Sequence, residues 1–190
     1  MNRQPTYPIQ PSLLHRWSPR AMSAEALETD ELMSLFEAAR WAPSSYNAQP
    51  WRFIFARRDT DSWKKFFDLL VPFNQSWAKN AAVLVVLVAK TTFDHNSKPS
   101  VTHAFDTGAA WENLALEASA RGLVAHGMEG FDYQAAKEKL NVPDDHVVLA
   151  MIAVGKPGRK EDLPADLQER EEPSDRRPLS EIVMEGGFRG

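Results

Sequence analysis

Two arginines and a serine fall within five residues near the start of the chain, Arg16-Trp17-Ser18-Pro19-Arg20. Two guanidinium forks and a hydroxyl at that spacing offer short, charge-assisted hydrogen bonds to a phosphate or a polyol. Taken alone, such a pentapeptide is more often a solvated basic loop. A second polar stretch, Ala42-Pro43-Ser44-Ser45-Tyr46-Asn47-Ala48-Gln49-Pro50-Trp51, is stiffened by a proline at each end and displays Ser44, Ser45, Asn47 and Gln49. A rigid-ended polar loop serves either as an ordinary capped turn or as a ligand platform. The third stretch is Gly127-Met128-Glu129-Gly130-Phe131-Asp132. Its glycines let the main chain approach a flat ligand and point free N–H groups at it, and Gly130 is expected to use positive φ.

Other chemistries are excluded by what the sequence lacks. There is no cysteine, hence no disulfide, thiolate metal site or cysteine nucleophile. His15, His95, His103, His126 and His146 show no helical pairing with one another and no partner acid at a metal-site spacing, so no metal is expected. Gly155-Lys156-Pro157-Gly158 lacks the spacing and the hydroxyl residue of a phosphate loop, and no Gly-x-Ser-x-Gly elbow occurs. A net charge of −4 without a lysine-rich tract argues against a nucleic acid or an anionic membrane as partner. The longest apolar run, Ala81 to Ala89, is about half of the roughly 20 residues a spanning helix needs. The first residues carry prolines and no apolar leader, so a cytoplasmic protein is expected.

The elements that must position these segments follow from periodicity. Residues 1–12 read as an extended arm. Asp30 is placed to cap a helix in which Leu32, Leu35, Phe36 and Ala39 recur at spacings of three and four until Pro43 stops it. Strands are expected at Trp51–Ala56, Val83–Val88 and Val147–Val154, the second buried on both faces. Helices are expected at Trp63–Leu70, Thr102–Arg121 and Tyr133–Leu140, with Gly122 closing the long one and Asp132 capping the last. The charged, proline-rich residues 156–178 read as a surface loop, followed by a strand at Glu181–Met184. One domain over 1–190 and an α+β fold result. Trp41, Trp51 and Trp111 lie on or beside apolar stripes and are expected in the core. Trp77, one helical turn after Asn74, is expected either against the edge of a bound ligand or in the wall of an acceptor pocket.

Five features in this order make the chain resemble the nitroreductase-like family of FMN enzymes, over about Leu14 to Val183. They are Arg16-x-Ser18-x-Arg20, the complete Ala42 to Trp51 element, Phe73-Asn74, Glu129-Gly130-Phe131-Asp132, and Arg176-Arg177-Pro178-Leu179. Where well-studied members of that family carry a lysine three residues after the asparagine, this chain has Trp77.

The resemblance implies an α/β/α sandwich whose central sheet is mixed and mainly antiparallel, with a C-terminal strand exchanged between subunits. It implies a homodimer with FMN at the subunit interface, residues 156–190 wrapping the partner. It further implies transfer of a hydride from NADH or NADPH through flavin N5 to an acceptor such as a nitroaromatic or quinone, in two steps. Cofactor contacts fall on Arg16, Trp17, Ser18, Arg20, Asn74, Met128, Glu129, Gly130, Arg176 and Arg177, and from the partner's side on Pro43, Ser44, Ser45 and Asn47. The arginines would neutralise the phosphate, Asn74 would hold the pyrimidine edge, and the Glu129 main-chain N–H would approach N5, with Gly130 beside it. The Glu129 carboxylate is expected in solvent. A flavin-binding redox sensor or storage protein with slow turnover is the alternative.

Overall fold

The computed structural model describes residues 3–188. Its centre is β2 (Val83–Lys90), seven of whose eight residues are buried. It pairs on one side with β1 (Trp51–Arg57) and on the other with β4 (His146–Gly155), which carries β3 (Val124–Met128) at its far edge. All three pairings are antiparallel, and a bulge interrupts the β2–β4 register between Leu87 and Val88.

The two-residue period of a strand divides β2 between two cores. Leu84, Val86 and Val88 face one layer, with Phe66 of α3 (Trp63–Phe67), Trp77 of α4 (Pro72–Ala78), Ala136 of α6 (Tyr133–Lys139) and Leu167 of α7 (Ala165–Gln168). Val83, Val85 and Leu87 face the other, with Leu32 and Leu35 of α2 (Thr29–Arg40) and Ala110, Leu114 and Ala118 of α5 (His103–Ala120). A sheet covered on both faces explains why β2 is a continuous apolar run rather than an alternating one. Two further short helices, α1 (Pro11–His15) and α8 (Leu179–Ile182), lie near the two ends of the chain.

Several local signals act as read. Gly122 follows α5 at φ +69°, the left-handed conformation that ends a helix at least cost in glycine. Asp132 accepts a hydrogen bond from the Ala135 N–H at 2.8 Å and caps α6. Helix α2 starts two residues earlier than expected. Glu31 reaches back to the Glu28 N–H at 2.9 Å, so the cap is at Glu28 and Asp30 lies in the first turn.

Three expectations need correction. The residues read as a final strand instead begin with a helical turn at Leu179–Ile182, in which Val183 N–H donates to the Leu179 carbonyl at 2.8 Å. β-branched residues favour a ladder only where an edge is there to pair with, and Pro178 presets a helical start. Trp41 is 73% exposed rather than in the core, because its indole N–H is drawn out to Glu37 at 2.9 Å. Trp77 is 1% exposed and belongs to the core under the sheet. Among the described residues no helix is long and apolar enough to cross a membrane.

Candidate active site

The turn after β3 forms the floor of the site. The Gly130 carbonyl accepts two hydrogen bonds, from the Val71 N–H at 3.1 Å and from Asn74 Nδ2 at 3.0 Å, and these fasten the turn to the start of α4. Asn74 is buried at that junction. A Cβ at Gly130 would lie 2.7 Å from Asn74 Nδ2 and 3.0 Å from Val71 Cγ2. Gly130 is not at positive φ. Packing against the amide therefore explains this glycine, not the backbone freedom expected of it. The main-chain N–H groups of Glu129 and Gly130 make no backbone hydrogen bond among the described residues. The Glu129 side chain is exposed.

Arg16 and Ser18 stand beside this turn. Arg16 Nη1 donates to Ser18 Oγ at 3.3 Å, and Arg16 Nε lies 3.5 Å from Glu112 Oε1. With Trp111, Met128 and Glu129 they line an open cleft of about 550 Å³. Trp17 points elsewhere, into a separate cavity of about 370 Å³ that it shares with His15 and Ala115. An arginine that sequence reasoning passed over completes the basic group. Arg3 Nη1 donates to the carbonyls of Arg16 at 2.8 Å and Leu14 at 3.0 Å, and its Nε donates to the Ser174 carbonyl at 2.9 Å. Burial, and then the charges of Arg176 and Arg16, hold the Arg3 guanidinium below its ordinary value. The Asp175 carboxylate opposes this depression, and Glu112 partly balances Arg16, so the group keeps a net positive charge. The signal for Arg3 was absent because nothing local in an arm with three early prolines marks a residue whose partners lie 11 to 171 positions away. Arg177 is turned outward, 3.8 Å from Glu181.

Arg20 sits apart from that group. Its main-chain N–H and that of Ala21 donate to Glu171 Oε1 at 2.6 and 2.8 Å, and its Nη1 lies 3.8 Å from Glu171 Oε2. Beside it is His126, whose Nδ1 faces the Pro19 carbonyl at 2.9 Å, a contact that assigns the proton to Nδ1. Burial pushes the His126 pKa down, the Pro19 carbonyl opposes this, and the Arg20 charge adds to the depression. The His126 ring packs on Trp77 with centroids 4.7 Å apart. A chain of contacts, an inner wall that does not itself line the cleft, thus runs from Arg20 through His126 to Trp77 on α4, the helix that also carries Asn74.

The Pro43–Pro50 loop is displayed on its own. Tyr46, Asn47 and Gln49 all hold positive φ, at 52°, 52° and 48°, a conformation that costs a non-glycine residue of order 1 kcal/mol or more. Local bonds impose it: Gln49 N–H donates to Ser44 Oγ at 3.0 Å, and Ser45 N–H donates to Asp106 Oδ2 at 3.1 Å. Asp106, 3% exposed in the first turn of α5, also accepts from Thr102 Oγ1 at 3.1 Å. Pro43, Asn47 and Gln49 are exposed, and Ser44 and Ser45 are half-buried. Arg52 Nη1 donates to the Gln49 carbonyl at 3.0 Å, but among the described residues no hydrogen bond joins this loop to Arg3, Arg16, Arg20, Arg176 or Arg177, to Asn74 or to the Glu129 turn. Within one chain the site residues therefore fall into two groups.

This combination, a four-stranded sheet between helical layers with a basic group beside a turn whose N–H groups make no backbone hydrogen bond among the described residues, defines a recognisable class. The chain belongs to the nitroreductase family, whose model matches residues 13–71 and 61–156. A solved structure described as an oxidoreductase containing FMN is similar to it at 45% identity and a TM-score of 0.95, covering 100% of this chain and 97% of that one. Protein DrgA of Synechocystis is 30% identical over an alignment of 183 residues, gaps included, that covers 83% of this chain and 85% of that protein. A Thermus thermophilus protein named NADH dehydrogenase is 26% identical over 211 residues, covering 95% of this chain and 97% of that one.

Proposed function

We propose that this chain is an FMN-dependent oxidoreductase that takes reducing equivalents from NADH or NADPH and delivers them to a small acceptor such as a quinone or nitroaromatic. It acts as a homodimer, each site made of the floor and wall of one subunit and the Pro43–Pro50 loop of the other. The observation that carries the reading is a cleft lined by Arg16, Ser18 and Glu129, with main-chain N–H groups at Glu129 and Gly130 that make no backbone hydrogen bond among the described residues, and with Arg3 bonded to the Arg16 carbonyl so that further positive charge adjoins it. The residues fit the cofactor: a dianion at Arg3, Arg16 and Arg176, hydroxyl and amide donors along the middle, and a ring edge at Asn74. When bound, FMN supplies two-electron transfer in which donor and acceptor use the same face in turn.

The chain's own contribution is binding, orientation and electrostatics. Arg16 and its basic neighbours hold the phosphate by charge-assisted bonds, each worth about 1.5–3 kcal/mol. The Glu129 N–H offers a donor that does not titrate, aimed where charge changes during transfer. Gly130 lets Asn74 approach and keeps that turn rigid. Because the carboxylate of Glu129 is exposed, Glu129→Gln retains most turnover. The chain works as one unit; residues up to Glu171 pack on its own core through Leu163, Leu167 and Glu171, and the segment that reaches the partner subunit follows them.

The test is the visible spectrum of the purified protein, with flavin counted per chain, followed by NADH and NADPH oxidation with a quinone and a nitroaromatic. Yellow protein with one FMN per chain and acceptor-dependent turnover is expected. Colourless protein that refuses added FMN overturns the reading. Stoichiometric FMN without turnover moves it to a redox sensor or store.

A further inference from the structure

Residues 156–178 have the composition of a solvated loop, yet one of their carboxylates is deeply buried. The Glu171 side chain is 4% accessible, with Oε1 taken by the main-chain N–H groups of Arg20 and Ala21 and Oε2 3.8 Å from Arg20 Nη1. Neither Glu171 Oε2 nor Arg20 Nε has a hydrogen-bond partner. Burying a carboxylate this way is costly, and a glutamine or a main-chain carbonyl would fasten the same two N–H groups without that cost. What a glutamate adds is a negative charge beside the Arg20 guanidinium. The rest of the wall offers no substitute, because Trp77 is uncharged and burial keeps His126 neutral at physiological pH.

We propose that Glu171 is a positioning residue for Arg20: it fixes this arginine in the wall of the site, offsets its charge, and thereby sets how strongly the protein favours reduced over oxidised flavin. The inference rests on the FMN reading above. Taking up two electrons and one proton leaves the flavin ring with one more negative charge than before. The Arg20 charge lies on the line of contacts that runs through His126 and Trp77 toward the helix of Asn74; it stabilises the added flavin charge, and a carboxylate held against it reduces the effect. A surface segment distant in sequence thus tunes the cofactor through a single contact, with no residue of that segment touching the ring.

The experiment compares FMN-loaded wild type with Glu171→Gln by dye-equilibrated reductive titration of the flavin spectrum. Glutamine keeps the shape and one acceptor oxygen while removing the charge. The preference for reduced over oxidised FMN is expected to rise about tenfold, a positive shift of about 30 mV for a two-electron couple. In an Arg20→Gln background the same substitution is expected to leave the potential unmoved, because the effect runs through the guanidinium. If Glu171→Gln does not fold, Glu171→Asp carries the test: the retained charge is expected to hold the potential at the wild-type value while FMN binding weakens. A Gln variant with a wild-type potential, a shift that persists without Arg20, or an Asp variant shifted about tenfold overturns the proposal and leaves the cofactor assignment standing. Wild-type protein that takes up no FMN overturns the functional reading instead.

Discussion

The inner wall around Arg20 and the Pro43–Pro50 loop solve the same problem in opposite ways. The wall is made of distant residues, buried and bonded across the chain: Glu171 to Arg20, Pro19 to His126, Gly130 to Asn74. The loop is made of neighbours, exposed and strained, and is held from within by Ser44 and from beneath by Asp106. Burial lets the wall spread its cost over a core. The loop has no core of its own and must be preorganised by short-range bonds before anything covers it. In the proposed homodimer, the wall is the half that one subunit completes and the loop is the half that meets a second.

The most severe way to break this comparison is to remove what embraces the partner. Deleting residues after Arg177 is expected to abolish the dimer and stoichiometric FMN binding together, because a ligand that binds only the assembled form stabilises only that form. Sedimentation and flavin titration of full-length and truncated protein check it, and a full-length monomer holding one FMN would remove the partner role given to Ser44, Ser45 and Asn47. The loop is tested separately by Asp106→Ala. Losing two bonds to a buried carboxylate is expected to cost about 1.5–3 kcal/mol of stability in the flavin-free protein. Thermal melts read that loss, and unchanged melting would show that the loop keeps its strained form without the pin.

The floor is sharpened by Gly130→Val. The added side chain meets Asn74 and Val71, and the crowding is expected to weaken FMN binding by about 1–3 kcal/mol. Titration of the two proteins with FMN measures the difference, and equal affinities would show that Asn74 and the turn can separate freely. The smallest effect concerns His126. Its folded pKa lies below the ordinary 6.5, so below pH 6.5 the unfolded chain takes up the proton first. Its contribution to stability is therefore complete above that pH and is lost as pH falls through 6.5 toward the folded value. Melting curves between pH 8 and 5, roughly the range over which histidine titrates, should show a slope that His126→Gln reduces. An identical slope in the variant would assign the acid sensitivity to other groups.

These two regions also differ in how much of them could be read from sequence. The loop lies within ten consecutive residues, so its rigid ends and polar display were legible directly. So were β2, where two covered faces leave a run without polar interruption, and the Asp132 cap, which bonds three residues ahead. The wall was not. Glu171 sits among charges and prolines that indicate solvent, and its partners are 150 and 151 residues away. Helix α4 has only seven residues, too few to establish a period, and Trp77 is buried against residues distant in sequence, His126 of β3 among them. At 179–184 the residues have strand character, yet a turn of helix forms, since propensity for a ladder means little without an edge.

The Arg3 contacts have a consequence for how the molecule comes apart. This one guanidinium ties the arm before α1 to the carbonyls of Leu14 and Arg16 and to Ser174, near the opposite end of the chain. The two extremities are therefore a single cooperative unit rather than two independently fraying ends. When the guanidinium lets go, the arm and the segment around Ser174 lose their common tie, and the Arg16 carbonyl loses its donor. Opening then reaches the basic group of the site while the sheet, whose bonds are elsewhere, remains closed. Amide hydrogens in these two stretches, though far apart in sequence, would share one exchange rate, and that rate would mark access to the site.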